Sequence, residues 1–243
     1  MKLQQVMSRV RKALDDYEMI NDGDKIAVGI SGGKDSLTLL YALSEIKRFY
    51  PKKYELEAIT VDLGFKNGPS ILPVERFCEK LGINYTLVKS DIAEIVFDVR
   101  KETNPCSLCA KLRKGALNDK AKELGCNKIA YAHHKDDVVS TFMMSLIYEG
   151  RLHTFAPVTY LDRMDLTLIR PMIYMDEVDV IGFTNKYSLP VFKNPCPADG
   201  VTKREYAAEL LKSINNEAPD VKNRIFTAIC TDNLDGFKLP GGK

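Results

Sequence analysis

Short apolar runs and helix-spaced stretches alternate along the chain from Lys25 to Tyr148. Lys25–Ile30, Tyr54–Leu63, Asn84–Val88 and Lys128–Ala132 each read as a buried strand. Leu37–Leu43, Ile71–Leu81 and Leu112–Leu124 have helical spacing between them, and Val138–Tyr148 closes the series as a further helix. A strand–helix–strand repeat lays its strands parallel and covers both faces of the sheet with helices. The expected fold class is therefore α/β, a doubly wound and mostly parallel sheet. Ligands of such sheets bind beyond the carboxyl ends of the strands, which directs attention to whatever follows each strand.

An amphipathic helix with Leu3, Val6, Met7, Val10 and Leu14 on one face precedes the first strand, and Asn21–Asp24 ends it with turn residues. Beyond Arg151 the alternation weakens to two short strands (154–161 and 166–170) and helices over 175–187, 203–213 and 220–232. The expected organisation is a main domain over 1–175, N-terminal helix included, and a small helical C-terminal extension over 176–243. No run approaches the 18 or more apolar residues of a membrane span, and the N-terminus lacks a signal-peptide core. Collagen, intrinsic disorder, membrane integration and secretion are excluded on this basis, and a cytoplasmic protein with no membrane partner is expected. A net charge of +2 means that any nucleic acid must be met by a local basic face.

The first strand runs into Ser31-Gly-Gly-Lys-Asp-Ser36 and then a helix. Two glycines let the backbone approach an anion, the helix N-terminus offers free N–H groups, and Lys34 offers a charge. The segment departs from both the Walker and the dinucleotide glycine spacings. A glycine-rich turn with a capping serine is the plainer interpretation, but strand, loop and helix fall where a phosphate cradle needs them. After the fourth strand comes Ala132-His-His-Lys-Asp-Asp137, whose side chains suit a metal or phosphate-linked magnesium, or else a helix-capping acidic pair.

Six cysteines in 243 residues are too few for a disulfide scaffold and suggest metal or redox chemistry. Cys106-Ser-Leu-Cys109 reads as a loop after Pro105, and Cys196 is a third available thiol. Cys78, Cys126 and Cys230 sit in apolar patterns and read as buried structural thiols. Three thiolates hold a 4Fe-4S cluster with one iron left open to a ligand such as sulfide. A zinc site completed from elsewhere fits the spacing equally well. From Arg100 to Lys128, eight basic residues (Arg100, Lys101, Lys111, Arg113, Lys114, Lys120, Lys122, Lys128) face three acids, a surplus suited to a phosphate backbone or to a merely solvated face.

Ser31–Ser36 resembles the pyrophosphate loop of the N-type ATP pyrophosphatases, the PP-loop superfamily with its adenine nucleotide alpha hydrolase-like fold. Cys106-Ser-Leu-Cys-Ala-Lys-Leu-Arg-Lys-Gly115 followed by Ala132–Asp137 is similar to the tRNA 2-thiocytidine synthetase family, and the tRNA 2-thiouridine synthetases have related elements. The likeness runs from about Val6 to Cys196. It implies that Ser31, Gly32, Gly33, Lys34, Asp35 and Ser36 hold the phosphates of ATP with Mg2+, and that Val61, Asp62 and Leu63 meet adenine through backbone groups. It further implies that His133 and Asp137 belong to the ATP site, that Asp136 is a cap or metal ligand, and that Arg113 faces the reaction. Cys106, Cys109 and Cys196 would hold a 4Fe-4S cluster, and Asp137 would assist through metal binding or proton transfer.

Two departures stand out. Asp199 occupies the place where 2-thiocytidine enzymes commonly have a further cysteine, and the zinc-finger cysteines flanking the thiouridine enzymes are absent from this sequence. The expected function is an ATP-dependent, iron–sulfur-dependent tRNA thiolase. It would adenylate the C2 oxygen of a pyrimidine, a cytidine of the anticodon loop, and replace it with sulfur from sulfide or a cysteine desulfurase. A homodimer is expected from the resemblance. The alternatives are another PP-loop tRNA-modifying or amide-forming ligase with structural zinc, and a non-catalytic nucleotide- or RNA-binding module.

Overall fold

The computed structural model describes residues 1–65, 68–100, 105–192, 196 and 203–240, the side chains of 203–205 excepted. Strands β1 (Asp24–Gly29), β2 (Tyr54–Asp62), β3 (Asn84–Lys89), β4 (Lys128–Ala130), β5 (Val158–Leu161) and β6 (Leu166–Ile169) form one sheet in the order β3-β2-β1-β4-β6-β5. All neighbours are parallel except the edge pair β5–β6. The register sets Val28 of β1 opposite Ala58 on one side and Ala130 on the other. Chain order runs outward in both directions from β1, so the gap between the ends of β1 and β4 is the topological switch point.

Eight helices accompany the strands among the described residues: α1 (Leu3–Asp16), α2 (Lys34–Ile46), α3 (Leu72–Leu81), α4 (Pro105–Glu123), α5 (Lys135–Met144), α6 (Glu177–Lys186), α7 (Lys203–Glu217) and α8 (Val221–Thr231). Strand side chains alternate between the two faces. Val28, Ala58, Ala130 and Ile169 point into the larger core, with Leu14 of α1, Leu40 of α2, Val138 of α5, Phe183 of α6 and Phe226 of α8. Ala27, Ile59, Ile129 and Leu168 point the other way, onto Leu117 and Ala121 of α4. The sheet is doubly wound as expected, and its second core is closed by the helix that bears Cys106 and Cys109. Helices α6 to α8 share the larger core with α2 and α5, so burial continues without a break past residue 175.

Three local differences from the sequence expectations have physical causes. Helix α4 already covers Pro105 among the described residues rather than starting at Leu112, which puts Cys106 and Cys109 on the helix, one turn apart, instead of in a loop. Proline is suited to the first helical position, and a spacing of three residues is close to one turn. Helix α5 stops at Met144 and passes into a π-helical turn over Ser145–Glu149, ended by Gly150 at φ +63°. Thr154 does not open a strand: its N–H donates to Asp235 Oδ2 at 2.8 Å and its hydroxyl to the Val138 carbonyl at 3.0 Å.

At the amino edge of the sheet lies a closed buried ion pair. Lys128 Nζ is 2.8 Å from Asp24 Oδ2 and donates to the Met19 carbonyl at 2.8 Å, while Asn127 Nδ2 donates to Asp24 Oδ1 at 2.7 Å. Among the described residues no helix is long and apolar enough to cross a membrane.

Candidate active site

The chain leaves β1 through Ile30, whose N–H donates to the Ile59 carbonyl at 2.8 Å, and enters the loop Ser31–Ser36. The loop is closed by its own hydroxyls. Ser36 Oγ donates to the Gly33 carbonyl at 3.0 Å and accepts the Ser31 N–H at 3.2 Å, and Ser31 Oγ accepts the Gly33 N–H at 3.3 Å. Gly32 has φ +77°, and a Cβ there would come within 1.8 Å of the Phe192 ring, so both backbone and packing require glycine. Phe192 also donates its N–H to the Gly32 carbonyl at 3.1 Å. Gly33 then caps α2, whose first-turn N–H groups and dipole face the loop. Lys34 Nζ pairs with Asp35 Oδ2 at 3.1 Å and Glu177 Oε1 at 3.0 Å.

Across the switch point stands His134, the residue before α5. Its Nε2 is 3.6 Å from Asp35 Oδ1 and its Nδ1 is 3.5 Å from Asp137 Oδ2. Asp35 Oδ1 and His134 Nδ1 are both buried without a hydrogen bond among the described residues. Burial raises the Asp35 carboxyl above its ordinary pKa, against the opposing pull of Lys34 and His134. A buried carboxylate oxygen lacking a donor, beside a hydroxyl-lined loop at a helix N-terminus, fits the oxygen-ligand chemistry of a magnesium-bound triphosphate.

The acidic pair divides its work. Asp137 Oδ2 accepts the His134 N–H at 3.0 Å, fixing the start of α5 beside Asp35. Asp136, expected at the ATP site as a cap or metal ligand, has its Oδ2 3.6 Å from His134 Nδ1 and also braces the neighbouring helices. Its Oδ2 accepts the Glu177 N–H at 2.7 Å and its Oδ1 takes Lys222 Nζ at 2.7 Å, tying α5 to α6 and α8. His133 is engaged by Arg170 and Phe155. Its Nδ1 accepts from Arg170 Nε at 3.1 Å and its ring lies 4.7 Å from that of Phe155. The histidine that meets the phosphate loop is thus His134, which the sequence reading passed over; only adjacency to His133 could have suggested it.

At the end of β2, the Asp62 carbonyl accepts Ser90 Oγ–H at 2.6 Å and the Leu63 carbonyl accepts the Ala93 N–H at 2.7 Å. Val61 packs into the α4-side core. The Asp62 and Leu63 carbonyls each keep a second lone pair for a further hydrogen bond.

Cys106 is exposed, and Cys109 and Cys196 are half-buried. Burial pushes the Cys109 thiol up, the neighbouring Cys196 and Cys106 thiols act in the same direction, and the Arg113 guanidinium opposes them. Thiols from two distant stretches of chain and one guanidinium therefore share one neighbourhood at the amino end of α4. Yet among the described residues no three His, Cys, Asp or Glu side chains close around a single ion. Three thiols match the number of ligands of a 4Fe-4S cluster that leaves one iron open, the ligand set that the resemblance implies. The other cysteines behave as structural thiols: Cys78, Cys126 and Cys230 are buried, and burial pushes each up to about 11.

Two features relate the thiols to the phosphate loop, one electrostatic and one a proximity in sequence. Arg113, which acts on Cys109, also acts on Tyr131, and the Tyr131 ring packs beside Gly29 just ahead of Ser31. On the other side Phe192 lies on Gly32, four residues before Cys196. The basic stretch is narrower than its sequence suggests. Lys128, Lys120 and Lys122 are paired with Asp24, Glu123 and Asp165, which leaves Lys111, Arg113 and Lys114 exposed on α4. Lys101 and Asp199 lie outside the described residues.

The PP-loop domain family matches residues 2–211 of this chain. A tRNA-cytidine(32) 2-sulfurtransferase of Citrifermentans bemidjiense is 35% identical over 227 residues, covering 92% of this chain and 89% of the relative. The enzyme of the same name from Geobacter sulfurreducens is 36% identical over 231 residues, covering 94% and 90%. Among solved structures, the U34-tRNA thiolase NcsA from Methanococcus maripaludis with its 4Fe-4S cluster superposes with a TM-score of 0.77. It is 28% identical, and the match covers 93% of this chain and 76% of that one. An NH3-dependent NAD synthetase from Campylobacter jejuni, with a TM-score of 0.53 at 15% identity, shares the fold.

Proposed function

This chain belongs to the PP-loop domain family, and from that premise we propose that it is an ATP-dependent tRNA thiolase acting at C2 of a pyrimidine, cytidine 32 by the name its relatives have. The observation that supports this reading most strongly is that Arg113 acts electrostatically on both the Cys109 thiol and Tyr131, whose ring packs beside Gly29 just ahead of the phosphate loop.

The C2 carbonyl oxygen of a pyrimidine is a poor leaving group. Its attack on the α-phosphorus of ATP forms an adenylate and expels pyrophosphate, after which sulfur adds at C2 and AMP departs. The residues divide this work by chemistry. The N–H groups of the loop and of the first turn of α2 hold phosphate oxygens and stabilise the charge that develops on departing pyrophosphate. Lys34, released from Glu177, turns its ammonium to the same charge. Mg2+ would be held by Asp35 together with the phosphates, where it lends Lewis acidity. Asp137 fixes the start of α5 and so sets His134 against Asp35.

Cys106, Cys109 and Cys196 would hold a 4Fe-4S cluster, which supplies an iron with an open position for sulfide. Arg113 stands where it offsets negative charge on the thiolates and on an incoming nucleotide. Lys111 and Lys114, exposed on the same helix, suit the tRNA backbone. The target base has to leave its stack to reach the rim, which favours a single-stranded loop position. Sulfide or a cysteine desulfurase as sulfur source, and a cytoplasmic homodimer, complete the reading.

The test is anaerobic incubation of the holoenzyme with ATP, Mg2+, sulfide and tRNA lacking the modification. We expect 2-thiocytidine in the digested tRNA by mass spectrometry, with pyrophosphate released in step. Absence of pyrophosphate release would refute the reading, and pyrophosphate release with a different modified nucleoside would reassign it within the PP-loop ligases.

A further inference from the structure

Arg170 follows β6 directly and is 7% exposed, at the same carboxyl edge as the phosphate loop. Its guanidinium lies over the Phe155 ring at 4.8 Å. Nε donates to His133 Nδ1 at 3.1 Å, and Nη1 donates to Thr159 Oγ1 at 3.2 Å and to the Ala156 carbonyl. Every one of these acceptors is neutral, since a histidine that accepts at Nδ1 has its proton on Nε2. No carboxylate pairs with Arg170 and no hydrogen bond engages its Nη2 among the described residues. Burial lowers its pKa to about 10, which still leaves it charged at neutral pH.

A buried cation without a counter-ion destabilises a fold, and this chain neutralises such a charge elsewhere on the neighbouring strand. Lys128, at the amino end of β4 and 6% exposed, has Asp24 within 2.8 Å. Arg170 has no equivalent. Its electrostatic neighbour is Tyr131, whose phenol is also acted on by Arg113. Both arginines thus act electrostatically on Tyr131, Arg113 acting also on the Cys109 thiol and Arg170 bonding to His133.

We propose that Arg170 is an anion receptor of the active site, its open Nη2 edge binding a phosphoryl oxygen during the reaction. A planar guanidinium held on an aromatic shelf and anchored at Nε and Nη1 keeps its remaining N–H donors pre-aimed, which is the geometry phosphoryl recognition uses. Phosphoryl oxygens reach this rim from two sources, the α-phosphate of ATP and the backbone of the tRNA at the target nucleotide. The inference rests on the thiolase reading and adds a residue to its site.

The experiment measures the affinity of the holoenzyme for magnesium ATP by calorimetry, and for unmodified tRNA by filter binding across a salt series. Wild type, Arg170→Lys and Arg170→Met are compared. A fall of about tenfold or more in ATP affinity for Arg170→Met, with tRNA binding intact, supports the inference and assigns the α-phosphate. A comparable fall in tRNA affinity, with a salt slope lower by about one, supports it and assigns the backbone. Arg170→Lys, which keeps the charge and loses the fork, should fall between wild type and Arg170→Met. Should Arg170→Met not fold, the lysine variant decides alone: weakened binding supports the receptor. Affinities for both ligands within about twofold of wild type in every folded variant would overturn it. These binding arms are read without turnover, so wild-type protein that binds both ligands but releases no pyrophosphate would sink the thiolase reading separately.

Discussion

The two ends of the sheet spend their polar groups differently. At the amino end, Lys128, Asp24 and Asn127 satisfy one another inside the fold. At the carboxyl end, among the described residues, Asp35 Oδ1 and His134 Nδ1 are buried without hydrogen bonds and Arg170 is buried without a carboxylate, and the Cys109 thiol feels those of Cys106 and Cys196. Both ends belong to the same strands and cores, so the contrast is not one of stability between regions. Among the described residues the fold thus neutralises a buried lysine at one rim and leaves an arginine without a carboxylate at the other, the rim where the proposed site lies. Substitutions at the amino end should therefore damage stability and spare chemistry, and those at the carboxyl end should do the reverse.

The largest effect is expected at the thiols. Cys196→Ala should abolish tRNA thiolation while ATP affinity stays within about twofold of wild type, because the phosphate loop does not need that side chain. Thiolation at wild-type rate in that variant would break the contrast from the carboxyl side. Next comes the amino end. Asp24→Asn leaves Lys128 buried beside a neutral partner and should lower unfolding stability in urea by about 3 kcal/mol, with pyrophosphate release per folded molecule unchanged. A stable but inactive Asp24→Asn would break it from the other side.

A smaller effect is expected from Ser36→Ala, which removes the donor to the Gly33 carbonyl and the acceptor of the Ser31 N–H. ATP affinity should fall about tenfold by calorimetry, with thermal stability moving little. The smallest concerns protonation. Burial and neighbouring thiols raise the Cys109 pKa, so its alkylation in cluster-free protein should keep accelerating as pH rises beyond the ordinary thiol range. Arg113 opposes that rise, so Arg113→Met should make Cys109 slower to alkylate at a given pH; a faster rate would sever the link drawn between them.

Much of the fold is legible in the sequence because its signals are local. Strand and helix alternate with different periods, and Ser31–Ser36 holds its glycines, hydroxyls and charge in six consecutive residues. The helix bearing Cys106 and Cys109 is harder to place, since polar residues crowd its exposed first turns and only Pro105 marks its start. The His133–His134 pair cannot be sorted from sequence. The chain leaves the β4 ladder at Ala130, and strand alternation no longer fixes which ring faces the loop. That Asp136 also braces α6 and α8 is visible only once Glu177 and Lys222, far along the chain, are folded against it. Arg170 looks like an ordinary charge at a strand end, and its isolation is visible only once Phe155 and His133 are folded around it. Cys196 lies 87 residues from Cys109, and nothing local announces that they meet.

That meeting is the centre of the account, and metal and sulfide analysis tests it most directly. Anaerobically reconstituted protein should hold about four iron and four acid-labile sulfide per chain, with a cluster signal in electron paramagnetic resonance after reduction, and Cys196→Ala should lose most of both. Wild-type protein that binds zinc in place of iron, or a Cys196→Ala variant that retains the full cluster, would contradict it.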